Sequence, residues 1–212
     1  MQLPRLYPII DLEVSAHPME FLLQEFAAAG LPWVQLRDKK ANSRELFANA
    51  QRVVELAQRH GLTAIVNDRA DIAWLSGADG VQVGQEDLPV EHARKIVGPE
   101  KIVGYSTHNL AQALEAEQSS ADYIAIGPVF ATTSKANPDP IVPWEELREI
   151  RRRVKKPMVA IGGITSQNAA QLFDIGLDSV AVIHDLVSAP DIRSKISQFL
   201  KAAGEAGWCR RD

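Results

Sequence analysis

The chain is 212 residues long, with 46% hydrophobic and 24% charged residues, a composition that excludes a disordered segment and a chain built of membrane spans. Its formal charge of −4, with both signs mixed along the chain, gives no general attraction to nucleic acid or to an anionic membrane, so an anionic ligand has to be held by a local cluster. A single cysteine, Cys209, excludes an intramolecular disulfide and a cysteine-based metal cluster, and cysteine usage fits a cytoplasmic protein.

The length predicts one domain, residues 1–203, followed by a polar tail, 204–212. The opening stretch MQLPRLYPIID carries a short apolar run broken by Pro and Asp. It reads as a first strand rather than a spanning helix or a secretory segment. Apolar runs rich in Val and Ile follow, and with the first they occupy 6–11, 33–38, 63–68, 80–85, 102–107, 123–130, 157–163 and 179–184. Such runs are expected of parallel strands buried on both faces. Between the second and third, Leu46, Phe47, Ala50, Val53, Val54 and Ala57 share one helical face, and Ser43 is the predicted N-cap. Asn109 and Pro143 are predicted to start later helices, and Gly30, Gly61 and Gly176 to end others. Eight alternating units predict an α/β fold, a single-domain (β/α)8 TIM barrel, with an open α/β sheet as the alternative that pattern alone leaves.

In such a barrel the chemistry sits at the carboxyl ends of the strands, and here those ends are polar. Alternation sends Gln35, Arg37 and Lys39 to one side, where two cations and an amide converge on an anion such as a diphosphate. Taken singly, Arg37 and Lys39 read as solvated loop residues paired with Asp38. Asp68 and Asp87 close adjacent strands and can share Mg²⁺ with phosphate oxygens. Singly they read as a helix N-cap and a loop acid before Pro89. Gly162 and Gly163 let backbone amides approach a ligand at the usual phosphate site of this fold, and the hydroxyls of Thr132 and Ser134 extend that grip, with Lys135 in reach of either anion. Loop 131–142 reads either as a lid or as a surface loop with a solvated lysine. His108 and His184 stand at strand ends and read as hydrogen-bonding residues rather than catalysts. Two anion sites without a nucleophilic Ser/His/Asp or Cys/His set predict a transfer between two small phosphorylated substrates.

The motifs QLRDK at 35–39, VND at 66–68, GQED at 84–87, GYSTH at 104–108, GPVFATTSK at 127–135 and IGGI at 161–164 occur in an order and spacing more specific than any one of them. On these, the chain from Tyr7 to Phe199 resembles the thiamine phosphate synthase family. The resemblance implies a transferase that joins 4-amino-2-methyl-5-hydroxymethylpyrimidine diphosphate to 4-methyl-5-(2-hydroxyethyl)thiazole phosphate, or its carboxylated form. It implies that Gln35, Leu36, Arg37, Asp38, Lys39, Asn67, Ser106 and Lys135 bind the pyrimidine diphosphate, with Asp68 and Asp87 on Mg²⁺. It implies too that Thr132, Thr133, Ser134, Gly163, Ile183 and His184 surround the thiazole phosphate, and that Arg37, Lys39 and Lys135 stabilise the leaving group.

Two positions depart from the family pattern: His184 stands where Ser is usual, and Ser134 where Thr is commoner. A thiazole tautomerase-like isomerase is the nearest rival; that family tends to lose the diphosphate and metal residues and to carry a catalytic His at the position of Pro128. A phosphate-binding sensor barrel is the non-enzymatic alternative. No membrane or nucleic-acid partner is expected, and the outer helix faces leave a homo-oligomer open.

Overall fold

The structure is a computed structural model describing residues 1–132 and 139–204. Eight strands, β1 (Leu6–Asp11), β2 (Trp33–Arg37), β3 (Thr63–Asn67), β4 (Gly80–Val83), β5 (Ile102–Thr107), β6 (Tyr123–Ile126), β7 (Met158–Ala160) and β8 (Ser179–Val182), pair in chain order. Each pairing is parallel, and β8 returns to β1, so the sheet closes. The helices between them are α1 (Met19–Ala28), α2 (Ser43–His60), α3 (Ala70–Ser76), α4 (Val90–Val97), α5 (Leu110–Gln118), α6 (Trp144–Arg153) and α7 (Ala169–Asp174), with α8 (His184–Val187) and α9 (Ile192–Ala202) after β8. This is the expected (β/α)8 barrel; the closed ladder removes the open sheet.

Several strands stop short of the apolar runs that foretell them, each for a local reason. β3 ends at Asn67 because Asp68 turns into the left-handed region, with φ 67°. β6 ends at Ile126, before Pro128, which has no N–H for a ladder. β7 ends at Ala160, ahead of the positive φ of Gly162 and Gly163. Asn42, not Ser43, caps α2: its Oδ1 accepts from the amides of Arg44 (3.0 Å) and Glu45 (3.1 Å), and Glu45 returns a bond to the Asn42 N–H. Ser43 is the first helical residue, because the amide oxygen one position earlier reaches two orphan N–H groups and completes a capping box. Asn109 caps α5 as expected, accepting from Gln112 N at 2.9 Å.

Alternation along the strands divides the core in two. Val34, Leu36, Val66, Val81 and Val103 face outward against the helices, whereas Tyr7, Ile9, Trp33, Ile65, Tyr123 and Ala125 fill the barrel. The rings of Tyr7, Trp33 and Tyr123 meet edge to face at centroid separations of 5.6, 6.0 and 6.3 Å. Gly104 makes this possible: a Cβ there would lie 2.2 Å from Tyr123 Cζ.

The barrel floor is stitched by a device used three times. Asp79, Asp122 and Asp178 each directly precede an even-numbered strand. The backbone N–H of each donates to a carbonyl of the preceding strand, and its carboxylate accepts the N–H of that same residue: Ala64, Val103 and Met158 respectively, at 2.8–2.9 Å for the side-chain bonds. The carboxylate thus extends the ladder one step past the end of the strand. Asp122→Ala leaves the Val103 N–H buried and unpaired, which costs about 1–3 kcal/mol. The urea midpoint is expected to fall with the slope unchanged; an unmoved midpoint would deny the clasp any stabilising part.

Candidate active site

Strand ends at the mouth are set by register. Asp11 and Arg37 are Cα partners across β1 and β2, and their side chains form an ion pair with Asp11 almost wholly buried. Asp11 also accepts from Glu13 N at 3.1 Å, which turns the chain away after β1. Lys39, two residues beyond Arg37, pairs with Asp68. Lys40 pairs with Glu13 at 2.8 Å.

Asp68 is held by its own backbone as well as by Lys39. Its N–H donates to the Gln82 carbonyl at 2.7 Å, and its positive φ, better tolerated by Asp than by most side chains, carries the carboxylate away from the helical path. It caps nothing: α3 starts after Arg69, without a side-chain cap. Burial raises the Asp68 carboxyl above its usual range; Lys39 opposes that shift, and the adjacent Asp87 carboxylate adds to it. Asp87 accepts from Gly84 N at 2.7 Å. Two carboxylates this close, one already disfavoured as an anion, form a donor set that a hard divalent cation fits. Among the described residues, no third His, Cys, Asp or Glu joins them in a cluster.

Beneath the mouth lies a buried polar layer. Gln35, 1% exposed, donates from Nε2 to Tyr7 Oη and to Gln82 Oε1, both at 3.0 Å. Tyr123 Oη donates to Gln82 Oε1 at 2.7 Å, the two phenol oxygens lie 3.3 Å apart, and Gln82 Nε2 donates to Ser106 Oγ at 3.0 Å. Burial pushes both phenols well above their ordinary range, so both keep their protons. Ser106 also accepts at its carbonyl from Gln85 Nε2, at 2.7 Å.

The QLRDK run therefore divides. Gln35 and Arg37 point inward along β2 and Lys39 joins the mouth, but Leu36 is packed in the outer core and Asp38 ties down the loop before α2, accepting from Ala41 N and Asn49 Nδ2. Neither of these side chains joins the cluster, because alternation assigns them the other face. Asn67 ends β3 beside Gln82. On the far rim, Gly163 has φ 65°, and a Cβ there would lie 2.2 Å from the Ala131 carbonyl, so the loops after β6 and β7 approach each other only through glycine. Ile183 links β8 to α8, and His184 is exposed, its Nδ1 3.3 Å from Ser188 Oγ. His108 lies with Nδ1 2.5 Å from the Gly127 carbonyl and Nε2 3.6 Å from Asp139, a hydrogen-bonding role as expected. Thr132 is described, whereas Thr133, Ser134 and Lys135, like the tail 205–212 with Cys209, lie outside the described residues. Sequence reasoning passed over Asp11, Tyr7, Gln82 and Tyr123. Their signal was parity: each shares its strand's inward face.

A family model described as thiamine monophosphate synthase matches residues 6–186, from the start of β1 into α8. A thiamine-phosphate synthase of Koribacter versatilis is 46% identical over 206 residues, covering 95% of this chain and 96% of the relative. One from Shouchella clausii is 40% identical over 205 residues, covering 95% and 97%. Among solved structures, a thiamine phosphate pyrophosphorylase from Pyrococcus furiosus superposes with a TM-score of 0.83 at 36% identity, covering 94% of this chain and 95% of that one.

Asp11→Ala removes the carboxylate partner of a guanidinium that is itself largely buried. Breaking one side of such a pair costs about 3 kcal/mol or more, so thermal unfolding should move down by several degrees; an unchanged midpoint would mean that the pair holds nothing.

Proposed function

The chain belongs to the thiamine monophosphate synthase family, and from that premise we propose that it joins an aminopyrimidine diphosphate to a hydroxyethylthiazole phosphate, giving thiamine phosphate and diphosphate. The observation that carries this reading is the convergence of Arg37, Lys39, Asp68 and Asp87 at the ends of neighbouring strands, above a barrel filled with buried side chains.

In the proposed reaction the bond from the pyrimidine methylene carbon to the bridging oxygen breaks, and its electron pair leaves on the diphosphate. The pyrimidine amino group stabilises the cation left behind. The lone pair of the thiazole nitrogen then forms the new C–N bond, and the product carries the positive charge as a thiazolium. The charge that needs stabilising develops on the leaving oxygens, so the protein has to supply fixed cations and no nucleophile. Arg37 is suited to this because a guanidinium with five N–H donors can keep a carboxylate and still donate to a phosphate oxygen. Lys39 serves as a point charge, and Lys135 as a third cation. Asp68 and Asp87 would hold Mg²⁺, which supplies Lewis-acid neutralisation of the diphosphate oxygens when bound. Gln35, Asn67 and Ser106 orient the pyrimidine.

Thr132, Thr133, Ser134, Gly163, Ile183 and His184 hold the thiazole phosphate in line for capture, which contributes by proximity. At position 184 the exposed ring is turned to Ser188 one helical turn on, which favours a phosphate contact through main chain over one through a serine-like hydroxyl.

Purified protein given the aminopyrimidine diphosphate, the thiazole phosphate and Mg²⁺ should release diphosphate in equal amount to thiamine phosphate, and should stop when any one is omitted. Neither an isomerase nor a sensor would release it, so a folded but silent protein would overturn the synthase reading. Asp68→Asn keeps the size and tolerates the left-handed backbone, yet removes the charge. Turnover is expected to fall by about 10²-fold or more with the fold unchanged, and full activity would take Asp68 out of the metal site.

A further inference from the structure

The hydrogen bonds below the mouth run in one direction, set by the orientation of the Gln35 amide. Gln35 Nε2 spends both its protons, one on Tyr7 Oη and one on Gln82 Oε1. Tyr7 accepts from Gln35, so its own proton goes to Tyr123 Oη, 3.3 Å away. Tyr123 accepts there and donates its proton to Gln82 Oε1. That oxygen therefore receives two donors, and with Gln35 in this orientation the Gln82 amide cannot flip without turning its NH₂ toward both. In this orientation Gln82 Nε2 donates to Ser106 Oγ. Ser106 is thus an acceptor on the barrel side, and its own proton is turned away from Gln82.

We propose that Gln82 and Tyr123 are positioning residues that act through Ser106, fixing its hydroxyl as a donor toward the mouth, so that this position selects an acceptor atom of the bound pyrimidine diphosphate. The inference rests on the synthase reading, and it assigns work to two residues that neither the motifs nor the mouth charges single out. Left to itself a serine hydroxyl rotates among partners; here the choice is made in advance by a network that is 5% exposed or less at Gln35, Gln82, Tyr7 and Tyr123.

The test is a double-mutant cycle in the diphosphate-release assay, with KM measured for each substrate. Gln82→Met keeps the volume and removes the amide. Alone, it should raise KM for the pyrimidine diphosphate about tenfold and leave KM for the thiazole phosphate unmoved. In a Ser106→Ala background the same change should add less than about twofold, because the group through which it acts is gone. Tyr123→Phe keeps the ring and should shift the same KM in the same direction by about threefold, an effect that Ser106→Ala also absorbs. It carries the cycle if Gln82→Met fails to fold by near-ultraviolet circular dichroism. Costs that add fully in the Ser106→Ala background, or that fall equally on both substrates, would overturn the inference while leaving the synthase reading intact. A wild-type chain that releases no diphosphate would overturn both.

Discussion

A closed ring of eight strands encloses a space that has to be filled, and how this chain fills it governs the site above. Three aromatic rings pack edge to face in the lower barrel, and two glutamine amides lie over them. The rings exclude water; the amides give the phenols their partners and end on Ser106. Low-polarity material under a cluster of charges strengthens every interaction in that cluster. Arg37, Asp11 and Asp68 therefore act in surroundings quite unlike those of the exposed pairs on α2, where Arg52, Glu55 and Arg59 meet in solvent and contribute little.

Charge at the mouth is arranged in pairs. Among the described residues, the two cations assigned to the diphosphate each lean on an acid contributed by a neighbouring strand: Arg37 on Asp11 and Lys39 on Asp68. Such pairing sets the position of the cations before a ligand arrives, which is the form of preorganisation that electrostatic stabilisation requires. It also explains how a chain of net charge −4 can receive a diphosphate, since the attraction is local and the surface at large takes no part.

Much of this was legible in the chain. Parallel strands buried on both faces leave unbroken apolar runs, and eight of them with helical stretches between admit few architectures. The mouth residues were legible because polar side chains at strand ends are rare enough to notice and the motifs fall there. Strand ends were less so: the left-handed turn at Asp68 and the positive φ at Gly162 depend on backbone conformations that composition does not encode uniquely. Ser43 and Asn42 are both sound caps, and only the reciprocal bond from Glu45 decides between them. Asp11, Gln82 and Tyr123 were passed over for a different reason. Each looks like an ordinary strand residue, and its role comes from a partner 24 or more positions away that only the assembled barrel brings within reach. Leu36 and Asp38 show the converse: they sit inside the best motif and face away from the site it marks.

The claim on which the whole reading turns is that the mouth stabilises charge on a diphosphate as it leaves carbon. It is tested most directly by following the bridging oxygen between the pyrimidine methylene and the diphosphate, labelled with heavy oxygen, through one turnover. Breakage at carbon predicts that all of the label departs in the diphosphate, in equal amount to the thiamine phosphate formed. Label retained on a pyrimidine alcohol would mean that the bond to phosphorus breaks instead, and that Arg37, Lys39 and the two aspartates serve a hydrolysis rather than a transfer.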